Sequence, residues 1–151
     1  MASFNKFNQF CQDVGRAVLN LNSDTLRDLL TNTVPNAADI KVDTTATPCT
    51  VASTSNAVEL AAGNGYTKKG TSIGSTAYSQ TSGTATLSGG NVVYTATGSM
   101  GPFRYVVCYD DTSGTTATRS VIGWWDYGSS ITLNASETFT IDHSANILTI
   151  A

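Results

Sequence analysis

Few residues in this chain have the types and spacing that catalysis requires. An enzyme that uses acid–base or nucleophilic chemistry needs a base, an acid or a nucleophile held in one constellation. The chain has a single histidine, His143, in the segment IDHSAN between two predicted strands. We expect a histidine in such a polar turn to be solvated, and no GxSxG nucleophile elbow accompanies it. The sequence therefore does not support a Ser-His-Asp hydrolase.

Paired carboxylates, as used by glycoside hydrolases, are the second chemistry to consider. Glutamate occurs only as Glu59 and Glu137. The pair Asp110-Asp111 begins the segment DDTSG, in which Asp and Gly are typical turn residues. That segment lacks the alternating ligands and the terminal Glu of a calcium loop. We therefore expect no catalytic residue and no metal site, and the chain is predicted not to be an enzyme.

Glycine-rich segments could hold a phosphate-bearing cofactor, but here the residues that follow the glycines do not match a phosphate-binding loop. Neither Gly63-Asn64-Gly65 nor Gly89-Gly90 is followed by the GK[ST] of a phosphate-binding loop. The segment AGNGY instead predicts a tight turn in which Asn64-Gly65 adopts positive φ. No cofactor is expected.

The segment GWWDYGSS concentrates aromatic residues in one predicted strand. In a regular strand Ile122 and Trp124 share one face, whereas Val121, Gly123 and Trp125 share the other. Only one of the two tryptophans then points into a core. Three interpretations follow: both rings are buried, with one under an N-terminal helix; Trp124, Trp125 and Tyr127 form a protein–protein interface; or they form a sugar-binding platform.

The N-terminal segment predicts an amphipathic helix over residues 1–22. Apolar residues recur there at three- and four-residue steps, namely Phe4, Phe7, Cys11, Val14, Val18 and Leu21. Three phenylalanines in the first ten residues are a heavy apolar load for a chain end. Phe4, Phe7 and Phe10 therefore either dock on the sheet or contact a neighbouring subunit. Together with Trp124, Trp125 and Tyr127 they are the candidate assembly interface.

Composition excludes several partners. Only 13% of the 151 residues are charged and the formal net charge is −3, so the chain lacks the basic face that nucleic acids require. We find no secretory signal and no apolar run long enough to span a membrane. Cys11, Cys49 and Cys108 are predicted to be free thiols in or near the core, as in a reducing cytoplasm.

The remainder of the chain reads as β structure. Residues 25–33 are predicted to form a strand, and 36–57 a loop-rich segment with one or two short edge strands, either an insertion or a flexible arm. From Ile73 onward, short apolar runs alternate with Gly, Asn, Asp and Ser about every 8–12 residues. The fold prediction is one domain over 1–151: an N-terminal helix (1–22) and an antiparallel, jelly-roll-like β-sandwich (25–151).

Several short sequence segments of the chain resemble segments of small virion structural proteins of tailed bacteriophages. The similarity covers nearly the whole length and departs most at 36–58, which is longer and richer in threonine. The phrases that carry it are LTNTVP (30–35), ELAAGNGYT (59–67), GPFRYVVCYD (101–110), IGWWDYGSSITL (122–133), ETFTID (137–142) and ILTIA (147–151).

This resemblance implies a capsid decoration or cement protein that binds the outside of an icosahedral shell. Its implied partners are the major capsid protein and further copies of itself, and its implied place is the virion surface after assembly in the host cytoplasm. The alternatives are a tail- or fibre-associated protein that binds a host glycan through the GWWDYGSS aromatics, and a head–tail or minor tail subunit.

Overall fold

The structure is a computed structural model that describes residues 2 and 4–151. It is mainly β, with antiparallel sheets and one short helix near the N-terminus, which confirms the coarse fold prediction. The helix is α1 (Asn8–Gly15). The strands are β1 (Phe4–Lys6), β2 (Leu26–Thr31), β3 (Lys41–Asp43), β4 (Thr50–Ala52), β5 (Ala57–Val58), β6 (Thr71–Ser72), β7 (Ala77–Thr81), β8 (Thr84–Ser88), β9 (Val92–Thr95), β10 (Met100–Asp110), β11 (Val121–Leu133), β12 (Thr138–Ile141) and β13 (Leu148–Ile150).

The largest sheet has the order β1-β11-β10-β2-β6 and is covered on both faces. Along β10, Val106 and Cys108 enter one apolar cluster, whereas Val107 and Tyr109 enter the other. The first cluster also contains side chains from β8, β9, β12 and β13, and the second contains side chains from β3, β4 and β5. This double burial explains why the run from Tyr105 to Asp110 is buried at every residue.

The segment 36–57 is folded, and the prediction of a flexible arm there is wrong. It forms the sheet β3-β4-β5, whose inward residues Val42, Val51 and Ala57 are fully buried. The carboxylate of Asp39 joins the loop before β3 to the loop between β4 and β5. It accepts hydrogen bonds from the backbone N–H groups of Asn36, Thr54 and Ser55. Val42, Cys49, Val51 and Ala57 of this segment, together with Phe7, therefore cover one face of the large sheet.

The predicted helix over 1–22 is longer than the one observed, and the residues Met1 and Ser3 lie outside the described part of the chain. Residues 4–6 form β1, which pairs with β11, so that the helix begins only at Asn8. The helix ends where Ala17 adopts a φ of 56° and the Val18 N–H bonds back to the Asp13 carbonyl. Its buried side is also different from the predicted one, since Phe10 and Asp13 are buried whereas Cys11 and Val18 are exposed.

The turn predicted at AGNGY is confirmed, whereas the turn predicted at Gly128-Ser129-Ser130 is wrong, because these residues lie within β11. The segment AGNGY is a two-residue turn in which Asn64 and Gly65 have φ values of 52° and 98°. Gly65 is needed there, because a Cβ would lie 2.1 Å from the Thr95 carbonyl oxygen. The strand predicted over 25–33 is confirmed as β2, which pairs with β10 over its full length.

Candidate functional site: an aromatic surface beside the N-terminal strand

A β-bulge in β11 sets the direction of both tryptophans. Cys108 of β10 pairs with Gly123, but Tyr109 pairs with Val121, so β11 carries one extra residue there. Trp124 consequently packs on the same cluster as Val121, and Trp125 packs on the opposite cluster. The predicted face shared by Ile122 and Trp124 is therefore wrong, because strict alternation does not survive a bulge. Both indoles are half-buried, one on each side of the sheet.

The N-terminal phenylalanines dock against these tryptophans. Phe4 lies opposite Trp125 across the β1–β11 pair, with ring centroids 5.2 Å apart in an edge-to-face arrangement. Phe7 is fully buried, and its ring lies 4.6 Å from that of Trp124. Aromatic pairs of this kind each add about 0.5–1.5 kcal/mol beyond the area they bury. Of the two alternatives for the phenylalanines, docking within the chain is the one observed.

Tyr127 extends the aromatic surface along β11. Phe103 of β10 pairs with Ile131 and Tyr105 pairs with Asp126, so residues 127–130 of β11 lie opposite a single residue and interrupt the regular pairing. The ring of Tyr127 lies 5.0 Å from that of Phe139. Phe4, Trp125 and Tyr127 pack against the first apolar cluster, on one side of the sheet, and we name these three half-buried rings the aromatic surface. Trp124 is half-buried on the other side.

An apolar groove of about 380 Å³ adjoins Phe4. One wall is formed by β1 and α1, including Phe10, and the other by the consecutive residues 148–151. Phe10 is 2% exposed, so it forms the floor of the groove while it also belongs to the core. The six predicted interface residues are thus divided between the two sides of the sheet: Phe4, Phe10, Trp125 and Tyr127 lie with the first apolar cluster, and Phe7 and Trp124 with the second. Phe7 and Phe10 are buried and the other four are half-buried.

The polar side chains next to the aromatic surface are already engaged. Asp126 accepts two hydrogen bonds from Arg104, at 2.7 and 2.9 Å, and a third from the Gly128 N–H. These bonds, the Arg104 bond above all, lower the pKa of Asp126 below 3.8. The guanidinium of Arg104 also lies 5.2 Å from the centre of the Tyr105 ring. This carboxylate is therefore a constrained anion and is not poised to transfer a proton.

His143 is buried, so the prediction of a solvated histidine is wrong. Its side chain is 1% exposed, and its Nε2 lies 2.7 Å from Oδ2 of Asp28, which is itself fully buried. The imidazole also lies 5.4 Å from the ring of Trp125. Burial raises the pKa of Asp28, while the hydrogen bond and charge of His143 act in the opposite direction. The neighbouring turn residues Asp142 and Ser144 are exposed, whereas the histidine between them points into the core.

Asp28 and His143 resemble two members of a catalytic triad but lack the third. The Cys108 thiol lies beside Asp28, where a nucleophile would have to contact the histidine. Burial raises the pKa of Cys108, which keeps the thiol protonated and unreactive. All three groups are closed off from solvent, so a substrate cannot reach them. The cluster is a polar element of the core.

The other carboxylates considered in the sequence are also engaged, and Asp111 makes ion pairs with Arg27, Lys69 and Arg119. Asp110 accepts bonds from the N–H groups of Thr112 and Ser113, as its predicted turn role requires. Glu59 is buried and accepts bonds from the Cys49 N–H, the Tyr66 hydroxyl and the Lys69 N–H. The burial of Glu59 was not predicted, since its only sequence signal is a lone glutamate beside the AGNGY turn.

The thiols follow their predicted environment at two of three positions. Cys49 and Cys108 are buried, and burial raises the pKa of Cys49 to about 12. Cys11 is exposed, because α1 presents Phe10 to the core instead, and its Sγ lies 2.8 Å from Lys6 Nζ. Among residues 2 and 4–151, we find no group of three His, Cys, Asp or Glu side chains placed to hold a metal ion.

Across the same described residues, α1 is too short to cross a membrane, and no other helix meets that requirement.

Comparison with known protein families, with curated proteins and with solved structures finds no match to this chain. Inference about function therefore depends on the chain's own residues and contacts.

Proposed function

We propose that this chain is a bacteriophage virion structural protein, specifically a capsid decoration or cement protein that binds the outside of an icosahedral shell. The observation that carries the proposal is the aromatic surface beside the apolar groove, where large rings are gathered but left half-buried. Rings of this kind dominate the energetics of protein interfaces. The choice of a phage shell as partner rests on the phrases that resemble virion proteins.

Binding through this surface would stabilise a shell by mass action. A protein that binds only the assembled state adds about 2.7 kcal/mol per site when its free concentration is a hundred times Kd. A contact of about 800 Å² per partner is the standard size for a specific complex. The three rings would form the buried centre of such a contact, and the exposed residues 128–130 would lie at its rim.

The proposed partners are the major capsid protein and further copies of the same chain, on the virion surface after assembly in the host cytoplasm. We propose no role for nucleic acid, membrane, metal or cofactor, and no enzymatic activity. The engaged state of Asp126, Glu59 and Asp28 supports a binding role, since each carboxylate serves a structural bond.

We further propose that the sheets form a jelly-roll-like antiparallel sandwich. Support comes from the first apolar cluster, which joins side chains of the large sheet to those of two smaller ones. Leu30 and Val106 of the large sheet share that cluster with Val92 of β9 and Leu148 of β13. Two sheets facing each other across one apolar layer is the arrangement of a sandwich.

Glycan binding by a tail or fibre protein is the main rival, and the local contacts favour it less. A sugar platform combines an open ring face with free polar groups around it. Here each indole already contacts a phenylalanine, and the nearby Asp126 is bonded to Arg104 and to the Gly128 N–H. A head–tail or minor tail subunit differs from a decoration protein mainly in copy number.

The experiment is a binding assay with undecorated shells of the phage that encodes this chain. Shells are incubated with purified protein, and the bound fraction is measured by sedimentation as a function of concentration. We expect saturable binding, and a loss of about thirtyfold in affinity for Tyr127→Ala, the cost of about 2 kcal/mol that is typical of an interface hot spot. The matched control is Val93→Ala, which shortens an exposed apolar residue on β9.

Two outcomes contradict the proposal. If the wild type does not bind shells, the chain is not a decoration protein. If Tyr127→Ala and Phe4→Ala both keep wild-type affinity and a native circular dichroism spectrum, the aromatic surface is not the contact. Quenching of tryptophan fluorescence by host polysaccharide would favour the glycan-binding rival.

A further inference from the structure

A long central segment of the chain carries no charge. No Lys, Arg, His, Asp or Glu occurs from Gly70 to Phe103, so all eight basic and eleven acidic residues lie elsewhere. This charge-free segment contains β6, β7, β8 and β9. Soluble proteins normally distribute charge over their whole surface, and about a quarter of their residues are charged. These strands therefore add no charged side chain to the surface, while the chain as a whole has a net charge of −3.

The sheet β13-β8-β7 displays this neutrality on its outer face. Tyr78, Leu87 and Leu148 point inward to the first apolar cluster. The alternating residues Ser79, Thr86 and Thr149 form a row across the three strands on the opposite face. Ala77 and Thr81 extend the same face of β7, and both are exposed. The face consists of small hydroxyl- and methyl-bearing side chains.

β7 is an edge strand with free hydrogen-bonding groups. In a two-residue hairpin the residues that flank the turn bond to each other, and bonded and non-bonded pairs alternate along the strand. Thr81 pairs with Thr84 across the Ser82-Gly83 turn, so Thr81, Ser79 and Ala77 direct their backbone groups to β8. The backbone groups of Tyr78 and Gln80 then point outward, where none of the other described strands pairs with them.

Free edges of this kind are usually protected against pairing. Lysines, prolines, inward charges or bulges block them in natural sheets. The strand AYSQT contains neither charge nor proline, and it pairs with β8 without a register shift. The edge is therefore open to an added strand.

We propose that β7 pairs with β7 of a second copy of this chain, in an antiparallel register centred on Ser79. In this register Tyr78 lies opposite the partner's Gln80, and the outward backbone groups of these two residues bond to each other. Ser79 lies opposite its own equivalent, and Ala77 lies opposite the partner's Thr81. The same groups that are free in the single chain are thus the groups that the symmetric register uses.

Charge favours a second copy as the occupant of this edge. Two copies with a net charge of −3 repel each other unless they meet where neither has charge, and the charge-free segment is that place. The pairing also has an apolar component, since Tyr78 lines a groove of about 280 Å³ together with Leu19 and Leu21. This inference deepens the oligomer proposed above but does not depend on shell binding.

The test is sedimentation equilibrium of the purified chain over a concentration series. We expect a monomer–dimer equilibrium that Ser79→Lys weakens by about tenfold or more, because it places two like charges directly opposite each other. Thr95→Lys is the matched control, since it adds the same charge to an exposed strand residue of another sheet. The control is expected to dimerise like the wild type.

A second variant keeps the test informative if lysine disturbs the hairpin. Gln80→Pro removes an N–H that points away from β8, so a bond to the partner is lost while the β7–β8 ladder remains. It also removes the side-chain amide, whose oxygen accepts from the N–H groups of Ser82 and Gly83 in the turn. We expect Gln80→Pro to be monomeric with a near-native circular dichroism spectrum. A wild type that is monomeric up to its solubility limit overturns the proposal, as does a dimer that neither variant weakens. If the wild type is monomeric and Ser79→Lys no longer binds shells, the β7 edge contacts the shell protein and not a second copy.

Discussion

The charged part of the chain and its charge-free segment differ in the kinds of side chain that they bury. Around the large sheet, buried polar groups are matched to specific partners: His143 to Asp28, Asp39 to three backbone N–H groups, and Glu59 to a tyrosine and two N–H groups. From Gly70 to Phe103 burial falls mainly on apolar residues such as Leu87 and Val92, and the surface is neutral.

The difference shows where each part can act. A buried carboxylate whose hydrogen bonds hold the fold together is closed to a substrate because solvent and substrate do not reach it. A neutral surface with an open strand edge costs little to desolvate and can accept another protein. The residues that could act as acids, bases or ligands therefore have structural roles here. The uncharged surface residues are the ones available for assembly.

The largest effect should come from breaking the buried hydrogen bond between His143 and Asp28. His143→Ala leaves the Asp28 carboxylate buried without its partner, and we expect a loss of about 3–5 kcal/mol in the free energy of unfolding. Urea denaturation followed by tryptophan fluorescence measures this. Asn146→Ala, an exposed change in the same turn, should have little effect. A loss below about 1 kcal/mol for His143→Ala would mean that the pair is not buried as described.

The next largest effect concerns the docking of β1 on the large sheet. A Cβ at Gly123 would lie 2.3 Å from the Phe4 ring and 2.7 Å from the Asn5 carbonyl oxygen. We expect Gly123→Val to cost about 1–3 kcal/mol and to displace β1, which is seen as faster amide exchange at residues 4–7. Gly15→Ala, where an added Cβ meets no atom within 4 Å, should exchange like the wild type. Unchanged protection in Gly123→Val contradicts the docking.

A smaller effect is expected at the exposed pair of Arg104 and Asp126. Because the pKa of Asp126 is lowered in the fold, its stabilising contribution is fully present above pH 3.8 and is lost as the pH falls through the lowered value. Asp126→Asn should therefore melt below the wild type at neutral pH, and the difference should close in acid. Thermal melts of both proteins from neutral to acidic pH measure this difference in melting temperature. Ser129→Ala is the control, and its difference from the wild type should not depend on pH. A difference that is constant with pH would show that the ion pair does not cause it.

The smallest effect is expected within the charge-free segment. Thr86→Lys adds a charge to the outer face of the β13-β8-β7 sheet and should change the free energy of unfolding by less than about 0.5 kcal/mol. Urea denaturation of dilute protein measures the effect on the single chain. A loss above about 1 kcal/mol would mean that this face is covered within the chain, and the contrast between the two parts would fail.

The strands and turns could be predicted because their signals are local. Runs such as FRYVVCYDD and ETFTID, separated by turn residues, became β10 and β12. The AGNGY turn followed from the tolerance of Asn64 and Gly65 for positive φ. The mainly β class follows from these signals together.

The errors have non-local causes. A bulge at Val121 and Ile122 depends on the pairing with β10, so the faces of Trp124 and Trp125 could not be derived from alternation. Pairing with β11 turned residues 4–6 from predicted helix into strand. The burial of His143 depends on Asp28, which is 115 residues distant in the chain. The aromatic members of the candidate site were predictable from residue type, whereas their contacts required the fold.

The most direct test of the proposed function is the copy number of this chain relative to the major capsid protein in purified virions, measured by quantitative mass spectrometry. A decoration protein predicts hundreds of copies, close to an integer fraction of the capsid subunits. A few copies or about a dozen would contradict a shell role and place the chain in the tail.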